Sequence, residues 1–143
     1  MRFMIMVKAT PGTEAGKFPE NAEKLFADMA AYHEDLQKAG VLLDASGLKP
    51  TSAGWRIKYT GDQRTVIDGP FTEAKELIAG YTLIQVKTRE EGLEWARRFP
   101  KPHLEHECEI EVRQLFDPED FASIEAAQDS IAKFAEIDAA RKK

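Results

Sequence analysis

The chain has 143 residues, 31% of them charged and 43% hydrophobic, with a formal net charge of -5. That is enough chain for one domain with a real core, and its acidic balance argues against nucleic acid, whose phosphates need a basic surface. No apolar run approaches the roughly 18 residues of a membrane span, no secretion signal precedes the first strand pattern, and the single cysteine, Cys108, forms no internal disulfide and fits a reducing cytoplasm.

Residues Arg2 to Ala9 read as a strand, with Phe3, Ile5 and Val7 on one face and Met4 and Met6 on the other. A strand apolar on both faces needs cover on both sides. Pro11 to Pro19, with two glycines and two prolines, reads as a loop. From Pro19 to Ala39 the spacing predicts a helix, because Leu25, Met29, Tyr32 and Leu36 recur at four, three and four residues and stack on one face. Gly40 is placed to close it, and His33 lies at the edge of the apolar stripe.

Val41 to Leu48 reads as a second strand. Trp55, Ile57 and Tyr59 alternate with Arg56, Lys58 and Thr60, the pattern of a half-exposed strand. Gly61-Asp62 signals a hairpin turn, and Arg64 to Ile67 returns. Asp68-Gly69-Pro70-Phe71 then forms a sharp corner, followed by one or two helical turns carrying Glu73, Lys75 and Glu76, with Gly80 as the stop. Tyr81 to Lys87 is the next strand. Thr88 caps a helix reaching Phe99, ended by Pro100 and Pro102. Cys108, Ile110 and Val112 alternate in a last strand, and the chain from Pro118 onward is helical.

The core order β-α-β-β-α-β, with a hairpin inserted before its third strand, predicts an α+β, ferredoxin-like fold: an antiparallel sheet with both helices on one face. Residues 1–116 form that domain and 117–143 a helical tail. Met4, Met6 and Leu83 leave the second sheet face apolar. At roughly 25 cal/mol per Å2, leaving it wet would cost several kcal/mol, so a second copy is expected against it, giving a homodimer.

The candidate site residues each have two readings. Asp68 with Gly69-Pro70 makes an Asx-type turn, or it sets a carboxylate at a strand end beside a cleft. Lys75 belongs to a solvated helical face, or it holds an anionic ligand. His33 is a hydrogen-bonded histidine at a stripe edge, or a general base, the role to which imidazole chemistry suits the residue type. Trp55 and other strand aromatics are core or interface, or they line a pocket. His103, Glu105, His106 and Cys108 supply zinc-type ligands, but match neither HExxH nor CxxC spacing. A solvated loop and no metal are expected there. No Gly-rich phosphate loop or GxSxG elbow occurs, so no cofactor is expected.

At Asp68-Gly69-Pro70-Phe71 the sequence resembles the DGPF proteins of the YCII-related domain family. Met4-Ile5-Met6-Val7-Lys8-Ala9, Ala39-Gly40-Val41-Leu42-Leu43, Ser46-Gly47-Leu48-Lys49-Pro50, Gly80-Tyr81 and Glu94-Trp95-Ala96 extend the likeness in order, over roughly residues 1 to 116. The resemblance implies a dimeric α+β barrel. Some relatives in the wider group carry a His–Asp pair in a cleft. Those positions fall near Met29 and near Arg97 to Phe99 here, and this chain has neither residue. Proteins of this kind are also often encoded near sigma factors of the extracytoplasmic-function type, which implies a regulatory alternative.

Two functions are therefore expected as alternatives. One is a binder or converter of a small anionic metabolite in a cleft between the first helix and the Asp68–Phe71 corner. In it Asp68 and His33 handle protons, and Lys75, Arg56, Phe71 and Trp55 hold the ligand. The other is a non-catalytic dimeric module whose tail binds a protein partner.

Overall fold

The computed structural model describes residues 1–103 and 107–142. Six strands, four helices and several single 3-10 turns follow one another along the described chain. The strands are β1 (Arg2–Lys8), β2 (Leu42–Gly47), β3 (Trp55–Thr60), β4 (Gln63–Asp68), β5 (Ile78–Gln85) and β6 (Ile110–Gln114). The helices are α1 (Pro11–Glu14), α2 (Ala22–Lys38), α3 (Arg89–Arg97) and α4 (Gln128–Arg141). Strands β2, β5, β1 and β6 make one antiparallel sheet in that order, while β3 and β4 pair only with each other. This is the ferredoxin-like α+β arrangement, with the hairpin inserted between β2 and β5.

One sheet face builds the core. Phe3 and Ile5 of β1 and Ile84 of β5 pack with Tyr32 and Leu36 of α2, and Trp95 of α3 packs against the cluster. Ile5, Leu36 and Ile84 are fully buried, each contributing roughly 1.5–3 kcal/mol of transfer free energy. Tyr32 sits among Trp95, Phe99 and His33 in edge-to-face contacts and donates its hydroxyl to the Trp95 carbonyl at 2.7 Å. Burial pushes its phenol up to about 12, with the Arg98 guanidinium pulling the other way. On the opposite sheet face Met4, Met6 and Leu83 are half-buried, beside a Tyr81 hydroxyl that donates to Asp44 at 2.8 Å.

Several local expectations change. The segment after Pro11 is not all loop: Thr10 caps the short α1 reciprocally with Thr13. The stretch after Phe71 is a single 3-10 turn, Ala74–Glu76, not a helix. Gly80 is no helix stop. It lies inside β5 between Val7 of β1 and Gly47 of β2, where strand pairing on both sides decides the conformation. The tail runs through 3-10 turns at Pro118–Phe121 and Glu125–Ala127 before α4. Leu104, Glu105 and His106, in the segment read as a solvated loop, lie outside the described residues. No helix among the described residues is long and apolar enough to cross a membrane.

Candidate functional site

The corner at Asp68–Phe71 is held by the chain around Thr51. A Cβ on Gly69 would lie 1.8 Å from the Thr51 carbonyl oxygen, so only glycine allows this approach. The Gly69 amide donates to the Gly54 carbonyl at 3.0 Å. The Phe71 amide donates to Thr51 Oγ1 at 2.9 Å. Thr51 donates in turn to the Glu14 carboxylate, through its amide at 3.1 Å and its hydroxyl at 2.5 Å. Three sequence-distant segments are thereby tied together by a charge-assisted network. The Gly69–Pro70 peptide is cis.

Two hollows flank this network. The first, of about 550 Å3, opens between α2, the segment after α1, and the β2 and β5 strands. Leu25, Phe26 and Met29 of α2 line it with Phe18 and Phe99. Leu25 and Met29 are the residues of the helical stripe that lie N-terminal to the buried Tyr32 and Leu36. The lining also carries Lys17, Lys49, His33 and His103, and no carboxylate among the described residues. Its charged groups are therefore all cationic, over an apolar wall.

His33 is fixed at both ring nitrogens. Nδ1 lies 2.7 Å from the Met29 carbonyl oxygen and Nε2 lies 2.8 Å from Thr82 Oγ1. A carbonyl only accepts, so Nδ1 carries a proton, and in the neutral ring Nε2 accepts from the Thr82 hydroxyl. On protonation Nε2 becomes a donor, and the same hydroxyl oxygen can accept it. The switch turns the Thr82 hydroxyl hydrogen away from the ring, so the two charge states of His33 differ at Thr82 and share the Nδ1 bond to Met29. Thr82 itself is only 2% exposed and lines the same hollow.

The second hollow, of about 480 Å3, shares Lys49 and Pro50 with the first. Trp55, Arg56 and Phe71 line it, together with Glu76. The Arg56 guanidinium carbon sits 3.8 Å from the centroid of the Phe71 ring, a stacked cation–π contact. The structure thus brings Trp55, Arg56 and Phe71 to one hollow and His33 to its neighbour. Asp68 ends β4 exposed and lines neither, so it is not brought to His33; Lys75, exposed on its 3-10 turn, also lines neither. Sequence reasoning missed Thr82, Phe18, Phe26, Phe99, Lys17 and Lys49 as lining residues. The four-residue step from Met29 to His33 was visible, but the 49-residue step to Thr82 had no local signal.

The chain is similar to the uncharacterized protein R00369 of Rhizobium meliloti (strain 1021), 33% identical over 78 residues, which is 54% of this chain and 63% of that protein. The matched region therefore spans less than two thirds of that relative's length. Among solved structures it is similar to a 5-chloro-2-hydroxyhydroquinone dehydrochlorinase from Burkholderia phenoliruptrix AC1100, in complex with 2,5-dihydroxybenzoquinone. That likeness has 14% identity and a TM-score of 0.40, over 84% of this chain and 98% of the other, and carries no argument about function. The profile of the YCII-related domain matches residues 1–116, the span that holds the whole four-stranded sheet, the hairpin and both hollows. The chain belongs to the YCII-related domain family.

Proposed function

We propose that this protein, a DGPF-type member of its family, is a cytoplasmic homodimer that binds a small anionic metabolite in the hollow over His33. One observation carries the reading: an apolar cavity of about 550 Å3 whose charged lining residues are all cationic among those described. A concave apolar site with a few polar groups is the usual form of a small-molecule pocket. His33 is the proton-handling group, because it lines the hollow and its Nε2 meets a hydroxyl that can donate or accept. Arg56, Phe71 and Trp55 extend the site toward the Asp68–Phe71 corner. Asp68, exposed and outside both linings, and Lys75 would reach a ligand only across the dimer. The half-buried Met4, Met6 and Leu83 favour a second copy on that sheet face.

A thermal-shift screen of small organic acids tests this. A ligand at a hundred times its Kd stabilises by about 2.7 kcal/mol, roughly 5–10 °C in Tm for a chain of this size. The shift is expected to fall sharply in His33→Ala and to persist in an Asp68→Asn control. An undiminished shift in His33→Ala would move the site elsewhere.

A second reading, a non-catalytic regulatory module tied to sigma-factor control, is favoured by α4, where Phe134 and Ile137 are 67% and 50% exposed. Truncation after Asp117 that leaves every partner interaction intact would remove that support.

A further inference from the structure

The ligand class follows from how the two hollows adjoin, an inference that rests on the binding function just proposed. The first hollow offers an aromatic and aliphatic wall: Phe18, Leu25, Phe26, Met29 and Phe99. The second offers a guanidinium with unused donors. Among the described residues no carboxylate pairs with Arg56, Lys17 or Lys49, whereas eight other ion pairs form elsewhere. Lys49 and Pro50 belong to both linings, so the two spaces share a wall.

Arg56 is also pre-positioned. Its guanidinium stacks on Phe71 at 3.8 Å. The Phe71 amide is pinned on Thr51 Oγ1 at 2.9 Å, and Thr51 on Glu14. The corner motif therefore anchors the platform on which Arg56 rests. A guanidinium resting over a ring face spends none of its N–H donors on that contact, which leaves its planar fork free to match a carboxylate through two parallel bonds. Glu76 lines the same hollow, but Lys49 and Arg56 leave it net positive.

We propose that the two hollows form one elongated site for an amphipathic monocarboxylic acid. Its ring-sized apolar body fills the cavity over His33, its chain crosses Lys49 and Pro50, and its carboxylate lands on Arg56. Short acids confined to the first hollow bind without reaching Arg56.

Titrating the full chain with benzoate, phenylacetate, 4-phenylbutyrate and 6-phenylhexanoate tests this, read by calorimetry and, in a Trp95→Phe background, by Trp55 emission. Affinity is expected to rise along the series, with Trp55 responding only to the long acids. Arg56→Lys keeps the charge but loses the fork, and is expected to weaken the long acids about tenfold while leaving benzoate unchanged. Phe71→Leu should move the long acids in the same direction by less. In the unaltered protein the primary amide of 6-phenylhexanoate should bind about tenfold more weakly than the acid. Equal binding of acid and amide, or an Arg56→Lys effect independent of chain length, overturns the proposal while leaving the His33 cavity standing. Tighter binding of 6-phenylhexyl phosphate than of the acid overturns the carboxylate assignment. Binding of every acid that is indifferent to both His33→Ala and Arg56→Lys overturns the underlying function as well.

Discussion

The four-stranded sheet and the β3–β4 hairpin are built from the same kind of sequence and meet opposite fates. Ile5 and Ile57 both stand on strands with paired neighbours. Ile5 is completely buried and Ile57 is 44% exposed. The sheet has α2 and α3 on one face. The hairpin has all its residues exposed, Trp55 at 64% and Tyr59 at 63% among them. Alternation makes a strand, but only a second layer makes it a core, because burial rather than pairing supplies most of the free energy. The hairpin's value lies at its base, where Trp55, Arg56 and the Phe71 corner shape the second hollow.

Three substitutions sharpen or break that contrast. Leu36→Ala, in the fully buried stripe of α2, is expected to cost roughly 2–5 kcal/mol in urea unfolding. Gly69→Ala, at the corner joining hairpin to sheet, should cost roughly 1–3 kcal/mol, since the obstacle is backbone and cannot rotate away. Acid binding in that variant should fall further than its stability does, because the Phe71 platform shifts. Ile57→Ala on the hairpin should change stability by at most about 0.5 kcal/mol. A loss near that of Leu36→Ala would mean that a second copy covers the hairpin in solution, and would end the contrast.

Much of the fold was legible because its signals are local. The stripe Leu25, Met29, Tyr32 and Leu36 defines α2, and the short apolar run of β1 and the alternation in β3 define strands, each readable within a few residues. The short helix after Phe71 was misread because Glu73-Ala74-Lys75-Glu76 has helical composition, while ordering by β5 leaves room for only one turn. Gly80 was misread for the same reason: a glycine is equally at home as a helix stop and between two strands, and only the pairing of Val7 and Gly47 across it decides.

The candidate site was legible only in fragments. His33, Arg56, Phe71 and Trp55 stood out by residue type, yet their division between two adjoining hollows did not. By itself the sequence determined the element order, the antiparallel α+β class, the apolar faces and the family. Tertiary structure alone decided that Thr82, 49 residues from His33, holds its Nε2, that Glu14 and Thr51 anchor the Phe71 corner, and that Asp68 stands outside both hollows. The reason is physical. Periodicity is written by neighbours three or four residues apart, whereas a site is assembled by side chains whose separation is set by the packing of helices on a sheet.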